Sequence, residues 1–402
     1  MTWLFHFPFE LPRGQTAADV LLDRVPSSGT VASVRLSLAL AELGRKCVVL
    51  DSTVGAQSSV AGGVAIEAVS EVGARFRREG PDAILVLPPA SAMSVLRSSS
   101  GARGAVIFWL HNNLAADLLD RAFALGLTRA VCVSDPAAAT YDAYPWWGRI
   151  EAIPYSLRGE LPFAANAPEG RRVAFIGATT ESKGFHHLLA AWPFVLERVP
   201  GATLDVFGSA ALHHPSAAMG SSGVMTAEFE ARHWRRAVNV RFHGSLPRAE
   251  LCRELQRIRV AVVNPNLTGS TETFCLSAVE AQACGVPVIG AAAQGLLATI
   301  ADGRSGLLIH SQEPRDLADA IVRLLLDDAL QRDLAAGAIA HAAQFRSPRL
   351  EAERWLAMAE RIRSGAPAAR PRSLSGSLMG TFGIGRAKLA LKRRLRPHSE
   401  LL

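Results

Sequence analysis

Cysteine is scarce in the sequence, and the spacing of the cysteines indicates neither a zinc site nor a disulfide-rich domain. The 402 residues contain five cysteines, with no Cys-x2-Cys pair that would indicate zinc and no dense set that would indicate a disulfide framework. No run of about 18 consecutive apolar residues occurs, and the first residues lack the basic segment of a secretory signal. A membrane-spanning helix and secretion are therefore not expected. The sequence predicts a protein of the reducing cytoplasm.

Acidic residues are nearly absent from the C-terminal end. Residues 361–402 contain ten lysines and arginines and one acid, a net charge of +9, whereas residues 1–360 contain 33 basic and 35 acidic residues. The body of the protein is therefore not predicted to bind nucleic acid. Within the tail, residues 384–396 place basic side chains above an apolar line at helical spacing, which favours a peripheral position on an anionic inner membrane face. A solvated, disordered run of charge is the alternative, because glycines precede it.

Two signatures of nucleotide chemistry are also missing. The sequence has no Asp-x-Asp, so a metal ion bridging to a diphosphate is not expected. It has no Gly-x-Gly-x-x-Gly either, which argues against a dinucleotide-dependent oxidoreductase even though Asp51 ends an apparent strand. The prediction is a protein without metal ion or cofactor.

What the sequence does contain is an alternation of short apolar runs with segments of helical period, the pattern of a parallel α/β fold. The alternation forms two series, separated by the Pro- and Ala-rich residues 161–170, and the length suits two domains. Predicted strands lie at 47–51, 83–87, 105–109, 130–133, 150–153, 172–176, 203–207, 239–242, 259–263 and 286–289. The predicted units are an N-terminal Rossmann-like domain (1–165), a C-terminal Rossmann-like domain (166–345), a C-terminal helix returning toward the N-terminal domain (346–366) and a flexible basic tail (367–402).

The most informative stretch is 264–290, NPNLTGSTETFCLSAVEAQACGVPVIG, which joins a strand end to a loop, a helix and another strand. The helix is predicted over 275–284, and Gly285 and Pro287 end it. Its N-terminus faces the C-terminal edge of a parallel sheet, where open α/β folds bind ligands. Backbone N–H groups at this end, helped by the helix dipole, are predicted to hold a phosphate. They belong to Thr273, Phe274, Cys275, Leu276 and Ser277.

Two glutamates bracket this helix start. Glu280 lies about a turn inside the helix, where it can accept hydrogen bonds from a vicinal diol such as a ribose, and Glu272 lies on the loop before it. Two carboxylates repel a lone phosphate, but they suit a diphosphate that carries hydroxyls on both sides. A nucleotide sugar has this layout. The alternative is an ordinary buried helix with two solvated glutamates.

The segment Glu272-x7-Glu280 within ETFCLSAVEAQACGVPVIG resembles the donor-site motif of glycosyltransferase family 4. The resemblance covers about 171–345 and implies the GT-B fold, an α/β architecture of two facing Rossmann-like domains with a C-terminal crossover helix. It implies retaining transfer of a sugar from a nucleotide-diphosphate sugar to a glycan, lipid-linked or other hydroxyl acceptor, in cell-surface polysaccharide synthesis. In that family the first glutamate contacts sugar hydroxyls and the second contacts the ribose.

Other segments are similar to further parts of that family's site. VAFIGATTESKGFHHLLAAW (173–192) resembles the part that carries a lysine to the donor diphosphate, which gives Lys183 this role, although Ala178 stands where many members have an arginine. The crossover Tyr155-Ser156 replaces the usual Asn-Gly. The remaining candidates are His111 near the donor sugar, Gly177 and Gly29 at the donor phosphates, Gly208 beside the base, and Ser134 and Asp135 on the acceptor side.

The resemblance implies attack by the acceptor hydroxyl on the face that the leaving phosphate departs from, without an enzyme nucleophile. Lys183 and the helix amides would stabilise the departing charge. Two alternatives stay open at this point. One is a sugar-nucleotide epimerase or phosphorylase-like enzyme on the same fold, and the other is a non-catalytic sugar-nucleotide-binding module.

Overall fold

The computed structural model describes residues 1–8, 29–53, 56–88, 92–157, 161–209, 238–268 and 272–369. The basic segment 384–396 lies outside the described residues, and its membrane contact stays a prediction. Within the described ranges, no helix combines the length and the apolar character needed to cross a bilayer.

The first described sheet is eight-stranded and mostly parallel, in the order β3-β4-β2-β1-β5-β6-β7-β8. Only the β3–β4 pair at one edge is antiparallel among the described strand pairs. The strands are β1 (Thr2–Phe7), β2 (Lys46–Asp51), β3 (Ser59–Ala61), β4 (Val64–Ala68), β5 (Ala83–Leu87), β6 (Ala105–Leu110), β7 (Arg129–Cys132) and β8 (Ile150–Ala152). Helices α1 (Gly29–Glu42), α2 (Val72–Arg77), α3 (Ala92–Ser98), α4 (Ala116–Ala124) and α5 (Asp135–Ala139) accompany it.

The second sheet is six-stranded and parallel, in the order β11-β10-β9-β12-β13-β14. Its strands are β9 (Arg172–Ile176), β10 (Thr203–Phe207), β11 (Val240–Gly244), β12 (Val260–Val263), β13 (Val288–Ala291) and β14 (Gly306–Ile309). The helices that follow in the chain are α6 (Phe185–Arg198), α7 (Arg248–Leu255), α8 (Leu276–Ala283), α9 (Leu296–Thr299), α10 (Pro314–Leu326), α11 (Asp328–Ala342) and α12 (Pro348–Arg363). Both sheets have strand orders that reverse beside the first strand of the series, so each leaves a crevice at its carboxyl edge.

Burial on both faces explains why the central strands are continuous apolar runs. In β1, Trp3 and Phe5 belong to one apolar cluster and Leu4, between them, belongs to the cluster on the other face. Both clusters consist of side chains that are almost entirely removed from water. This apolar burial is the main stabilisation of each sheet.

Helix α12 leaves the second sheet and packs on the N-terminal sheet. Ser347 caps its start by accepting a hydrogen bond from the Leu350 N–H at 3.1 Å. Trp355 is fully buried, with its ring 6.3 Å from that of Trp3 and 4.7 Å from that of Trp109. Polar contacts add to this seam: Arg361 Nη2 lies 2.6 Å from Glu151 Oε2, and the Ser156 N–H and hydroxyl donate to Glu351 Oε2 at 2.8 and 2.6 Å. The chain is thereby tied back across both sheets.

Candidate active site

The start of α8 lies at the carboxyl edge of the second sheet, as the sequence predicts. Strand β12 runs into Asn264, and α8 begins at Leu276 with no side-chain hydrogen bond from its N-cap, Cys275. The first N–H groups of a helix have no partner within the helix, so here they are available to an anion. Helix α8 ends at Ala283, with Cys284 as its C-cap, followed by Gly285 in a left-handed conformation at φ 77°.

Gly295 supports the loop that precedes α8, and sequence reasoning missed it. Its N–H donates to the Glu272 carbonyl at 2.8 Å. A Cβ on Gly295 would lie 2.2 Å from the Thr273 carbonyl carbon, so only glycine allows this approach. The signal in the sequence is weak, because nothing in AAAQGLL shows which segment the glycine faces.

Lys183 and Glu272 meet across two loops of the second domain. Lys183 Nζ lies 2.7 Å from Glu272 Oε2, and both side chains are partly buried. Burial opposes the charged form of Lys183, but the neighbouring Glu272 carboxylate outweighs it and raises the lysine pKa above its ordinary value. Gly184, at φ 70°, brings the lysine turn against the β12 loop, because a Cβ there would lie 2.8 Å from the Asn266 nitrogen. The two residues, which the sequence assigned to different parts of the donor, therefore form one charged unit.

Glu280 has a basic partner that the sequence interpretation overlooked. Arg248, the first residue of α7, places Nη2 3.3 Å from Glu280 Oε1. Arg248 lies within residues 240–251, VRFHGSLPRAEL, a segment that resembles loops lining the nucleotide base in glycosyltransferase family 4, and this resemblance was the available signal. Its distance of 32 positions from Glu280 in the chain hid the contact.

Two glycines narrow the gap between the ends of β9 and β10. Gly177 and Gly208 have φ values of 148° and 134°, in the region that favours glycine. A Cβ on Gly208 would lie 2.0 Å from the Gly177 carbonyl oxygen. Below them the buried Asp205 carboxylate joins three strands, accepting from Arg172 Nε at 2.9 Å and pairing with His243 Nε2 at 2.7 Å. Glycine at these two positions thus lets the ends of β9 and β10 pack in direct contact.

His111 follows β6 in the N-terminal domain and is neutral. Its Nδ1 forms a short hydrogen bond with the Tyr155 hydroxyl, and the two rings are stacked with centroids 5.8 Å apart. Its Nε2 is buried and has no hydrogen-bond partner among the described residues. Burial lowers the pKa of His111 from 6.5 to about 3.

The loop before α8 also contacts the N-terminal domain, which brings His111 beside the donor-side residues. The Thr273 hydroxyl donates to the His111 carbonyl oxygen, and the Ser134 hydroxyl donates to the Thr273 carbonyl oxygen at 2.6 Å. Phe274 meets Tyr155 edge to face, with centroids 5.4 Å apart. The two domains therefore meet at the residues that the sequence assigns to the donor sugar.

Ser134 has a second role within its own domain, where the candidates Asp135 and Gly29 also lie. Ser134 is buried and caps α5 by accepting from the Ala137 N–H at 3.2 Å, and Asp135 is half-buried in the first turn of that helix. Gly29 is the first residue of α1, and the segment before it lies outside the described residues. Ala178 is buried beside Gly177. The acceptor role of Ser134 and Asp135 and the phosphate role of Gly29 stay predictions.

Comparison with known proteins accounts for the second domain. Residues 159–341 match the family model described as glycosyl transferases group 1. The C-terminal domain belongs to this family. D-inositol 3-phosphate glycosyltransferases are similar to the chain: that of Corynebacterium aurimucosum is 34% identical over 177 residues, covering 43% of this chain and 39% of the relative. That of Corynebacterium diphtheriae is 32% identical over 192 residues, covering 48% and 41%. The chain thus matches well under half the length of these glycosyltransferases.

Solved structures extend the likeness to both domains of the chain. Sucrose-phosphate synthase from Thermosynechococcus elongatus has a TM-score of 0.68 at 16% identity and covers 91% of this chain and 100% of its own. Anabaena Alr3699/HepE in complex with UDP-glucose has a TM-score of 0.63 at 17% identity, covering 89% and 99%. At these identities the likeness shows the fold alone. It confirms the predicted GT-B architecture of two facing Rossmann-like domains.

Proposed function

We propose that the protein is a retaining hexosyltransferase that takes a sugar from a nucleoside diphosphate sugar and gives it to a hydroxyl acceptor, without a metal ion. The observation that carries the proposal is the arrangement at the start of α8. The Lys183–Glu272 pair lies on its loop side at 2.7 Å and Glu280 lies one turn inside the helix. The Lys183 ammonium and the helix N-terminus, lying between two carboxylates, match a diphosphate between two hydroxyl-bearing groups.

Each part of such a donor has a residue to meet it. The diphosphate would lie between Lys183 and the first N–H groups of α8, with the ribose hydroxyls on Glu280 and the sugar hydroxyls on Glu272. The base would lie beside Gly208 at the end of β10, where the backbone packs directly against the Gly177 carbonyl. In the structure Lys183 and Glu272 neutralise each other. A donor replaces both halves of this pair at once, because its phosphate takes the ammonium and its sugar hydroxyls take the carboxylate.

The transfer step needs stabilisation of the leaving group more than a nucleophile. The bond between the sugar C1 and the β-phosphate oxygen breaks while the acceptor oxygen bonds to C1 on the same face. The acceptor proton passes to the departing phosphate oxygen. Lys183 and the α8 amides stabilise the charge that develops on the diphosphate. Contact between the domains at Thr273 and His111 keeps water from the reacting carbon.

UDP-glucose is the first donor to test, because a GT-B neighbour holds it in its structure. For the acceptor, the names of the curated relatives support a phosphorylated inositol. The basic segment 384–396 supports a lipid-linked or cell-surface glycan presented at an anionic membrane. Both acceptors offer a free hydroxyl, and a single panel can compare them.

Two measurements test the proposal. Thermal unfolding with UDP, GDP, ADP and their glucose conjugates should show a higher midpoint with one base, because a ligand bound only by the folded state stabilises it. Release of UDP from UDP-glucose should then depend on added inositol phosphate or glycan and should be unchanged by EDTA. Nucleotide binding without transfer to any acceptor would favour a binding module, and conversion of the sugar without transfer would favour an epimerase. No binding of any nucleotide would refute the proposal.

A further inference from the structure

The crossover between the domains carries a tyrosine whose position beside His111 has a chemical consequence. We infer that Tyr155 is a positioning residue that donates its phenolic proton to Nδ1 of His111, so that Nε2 carries the imidazole proton and donates it to an oxygen of the bound donor sugar. The sugar as ligand rests on the proposed function. The assignment of the proton within the His111–Tyr155 pair does not.

Tyr155 and His111 contact each other through a hydrogen bond between their polar atoms and through stacking of their rings. The phenolic oxygen forms a short hydrogen bond with Nδ1, and the rings are stacked at an interplanar angle of 10°. Of the two possible orientations, donation from the phenol is favoured, because an unprotonated imidazole nitrogen accepts more strongly than a phenol oxygen. A neutral imidazole carries one proton, so donation to Nδ1 puts that proton on Nε2.

Tyr155 is held firmly enough to select one tautomer. It is buried, its ring lies 5.8 Å from that of Trp109, and Phe274 meets it edge to face. The next residue, Ser156, donates to the Glu351 carboxylate on α12 through its N–H and its hydroxyl. The phenol therefore has little freedom to turn away from His111, since contacts from β6, the α8 loop and α12 surround the crossover.

The atom left over by this arrangement points to a ligand. Nε2 of His111 is buried and has no hydrogen-bond partner among the described residues. A buried N–H group without a hydrogen-bond acceptor is unfavourable, whereas an oxygen of a sugar bound between the domains would accept this hydrogen bond. The Nε2–H group of a neutral imidazole suits a hydroxyl or ring oxygen better than a phosphate, and Lys183 is the proposed partner of the phosphate. Tyr155 thus links the unusual crossover sequence to recognition of the group that moves.

The decisive experiment is NMR of protein labelled with ¹⁵N in histidine, with His111 assigned by the His111→Gln variant. The wild type should show the Nε2–H tautomer of His111, and Tyr155→Phe should shift it toward Nδ1–H or a mixture. Tyr144→Phe is the matched control, because Tyr144 is a half-buried tyrosine stacked on Trp146 and away from the crossover. An Nδ1–H tautomer in the wild type, or an unchanged tautomer in folded Tyr155→Phe, would overturn the inference. The wild-type measurement decides even if Tyr155→Phe does not fold.

Kinetics with UDP-glucose supply a second readout. Tyr155→Phe should lower kcat about tenfold, the effect of one hydrogen bond, while KM changes less than about twofold. In a His111→Ala background, Tyr155→Phe should add nothing, because it acts through the imidazole. Full additivity of the two changes would overturn the inference. A wild type that neither binds nor uses UDP-glucose would instead refute the proposed function and leave the NMR result standing.

Discussion

Replacing Lys183 with alanine separates a catalytic cation from an ordinary surface ion pair. The ammonium lies 2.7 Å from Glu272 Oε2. The substitution removes the cation that pairs with Glu272, on the loop before α8. It leaves the Glu272 carboxylate partly buried beside the Asn264 amide at 3.5 Å. The fold and the chemistry depend on this pair to very different degrees.

The two effects have different sizes. A partly exposed ion pair contributes about 0–1 kcal/mol to the free energy of unfolding, so the unfolding midpoint should move by a few degrees at most. Loss of one donor to a developing oxyanion costs about 2.7–4 kcal/mol in the transition state, or roughly 10²–10³ in kcat. Turnover should therefore fall by about a hundredfold or more in a protein of nearly normal stability.

The assay measures UDP released from UDP-glucose with acceptor present, and thermal unfolding of the same samples. Lys46→Ala is the matched control, because Lys46 is an exposed lysine at the start of β2, the opposite edge from the ligand crevice. It should behave as the wild type in both measurements. A parent-like kcat for Lys183→Ala would show that another cation holds the diphosphate, and a loss of folding would show that the pair is structural.

Four further outcomes are expected. Glu280→Ala should weaken UDP binding by roughly 10- to 150-fold, from about 1.5–3 kcal/mol of lost charge-assisted hydrogen bonding, whereas Glu272→Ala should mainly lower kcat. Titration calorimetry measures the first effect and initial rates measure the second. Parent-like values for both variants would refute the assigned site. Gly208→Ala should lower the unfolding midpoint and UDP affinity, because its Cβ meets the Gly177 oxygen, while Gly201→Ala, with open space around it, should not. Burial lowers the His111 pKa from 6.5 to about 3. Between these two pH values His111 therefore binds a proton in the unfolded chain but not in the folded chain. The contribution of neutral His111 to the free energy of unfolding is therefore fully present above pH 6.5 and is lost as the pH falls toward 3. In unfolding measurements across this pH range, His111→Phe should reduce the loss of stability at low pH, whereas the control His310→Phe, at an exposed histidine, should not. Parallel stability curves for His111→Phe and the parent would contradict the prediction. Truncation after Ala366 should abolish sedimentation with anionic liposomes but spare UDP binding, and equal sedimentation of both forms would remove the membrane hypothesis.

Much of the fold follows from local pattern, because a strand buried on both faces is a short apolar run in any context. The predicted strands at 83–87, 172–176 and 203–207 have the bounds that the structure shows. Strand β1 was missed, although it is central in its sheet. His6 interrupts the apolar run, and only the folded chain supplies its partner, the Ser52 hydroxyl at 2.8 Å. The short β3–β4 edge pair was missed because its three- and five-residue strands give too few positions for a period.

The sequence by itself determined the part of the site that is contiguous. Glu272, Glu280 and the start of α8 lie within nine residues, so helix period and capping signals alone are enough to predict them around one candidate anion site. Tertiary structure decided the rest. Arg248 reaches Glu280, and Tyr155 reaches His111 across 44 positions, only because the folded sheets align their carboxyl edges and α12 draws the domains together. Such contacts depend on directions in space that spacing along a chain does not encode, and this is why the partners of Glu280 and His111 were the hardest to infer.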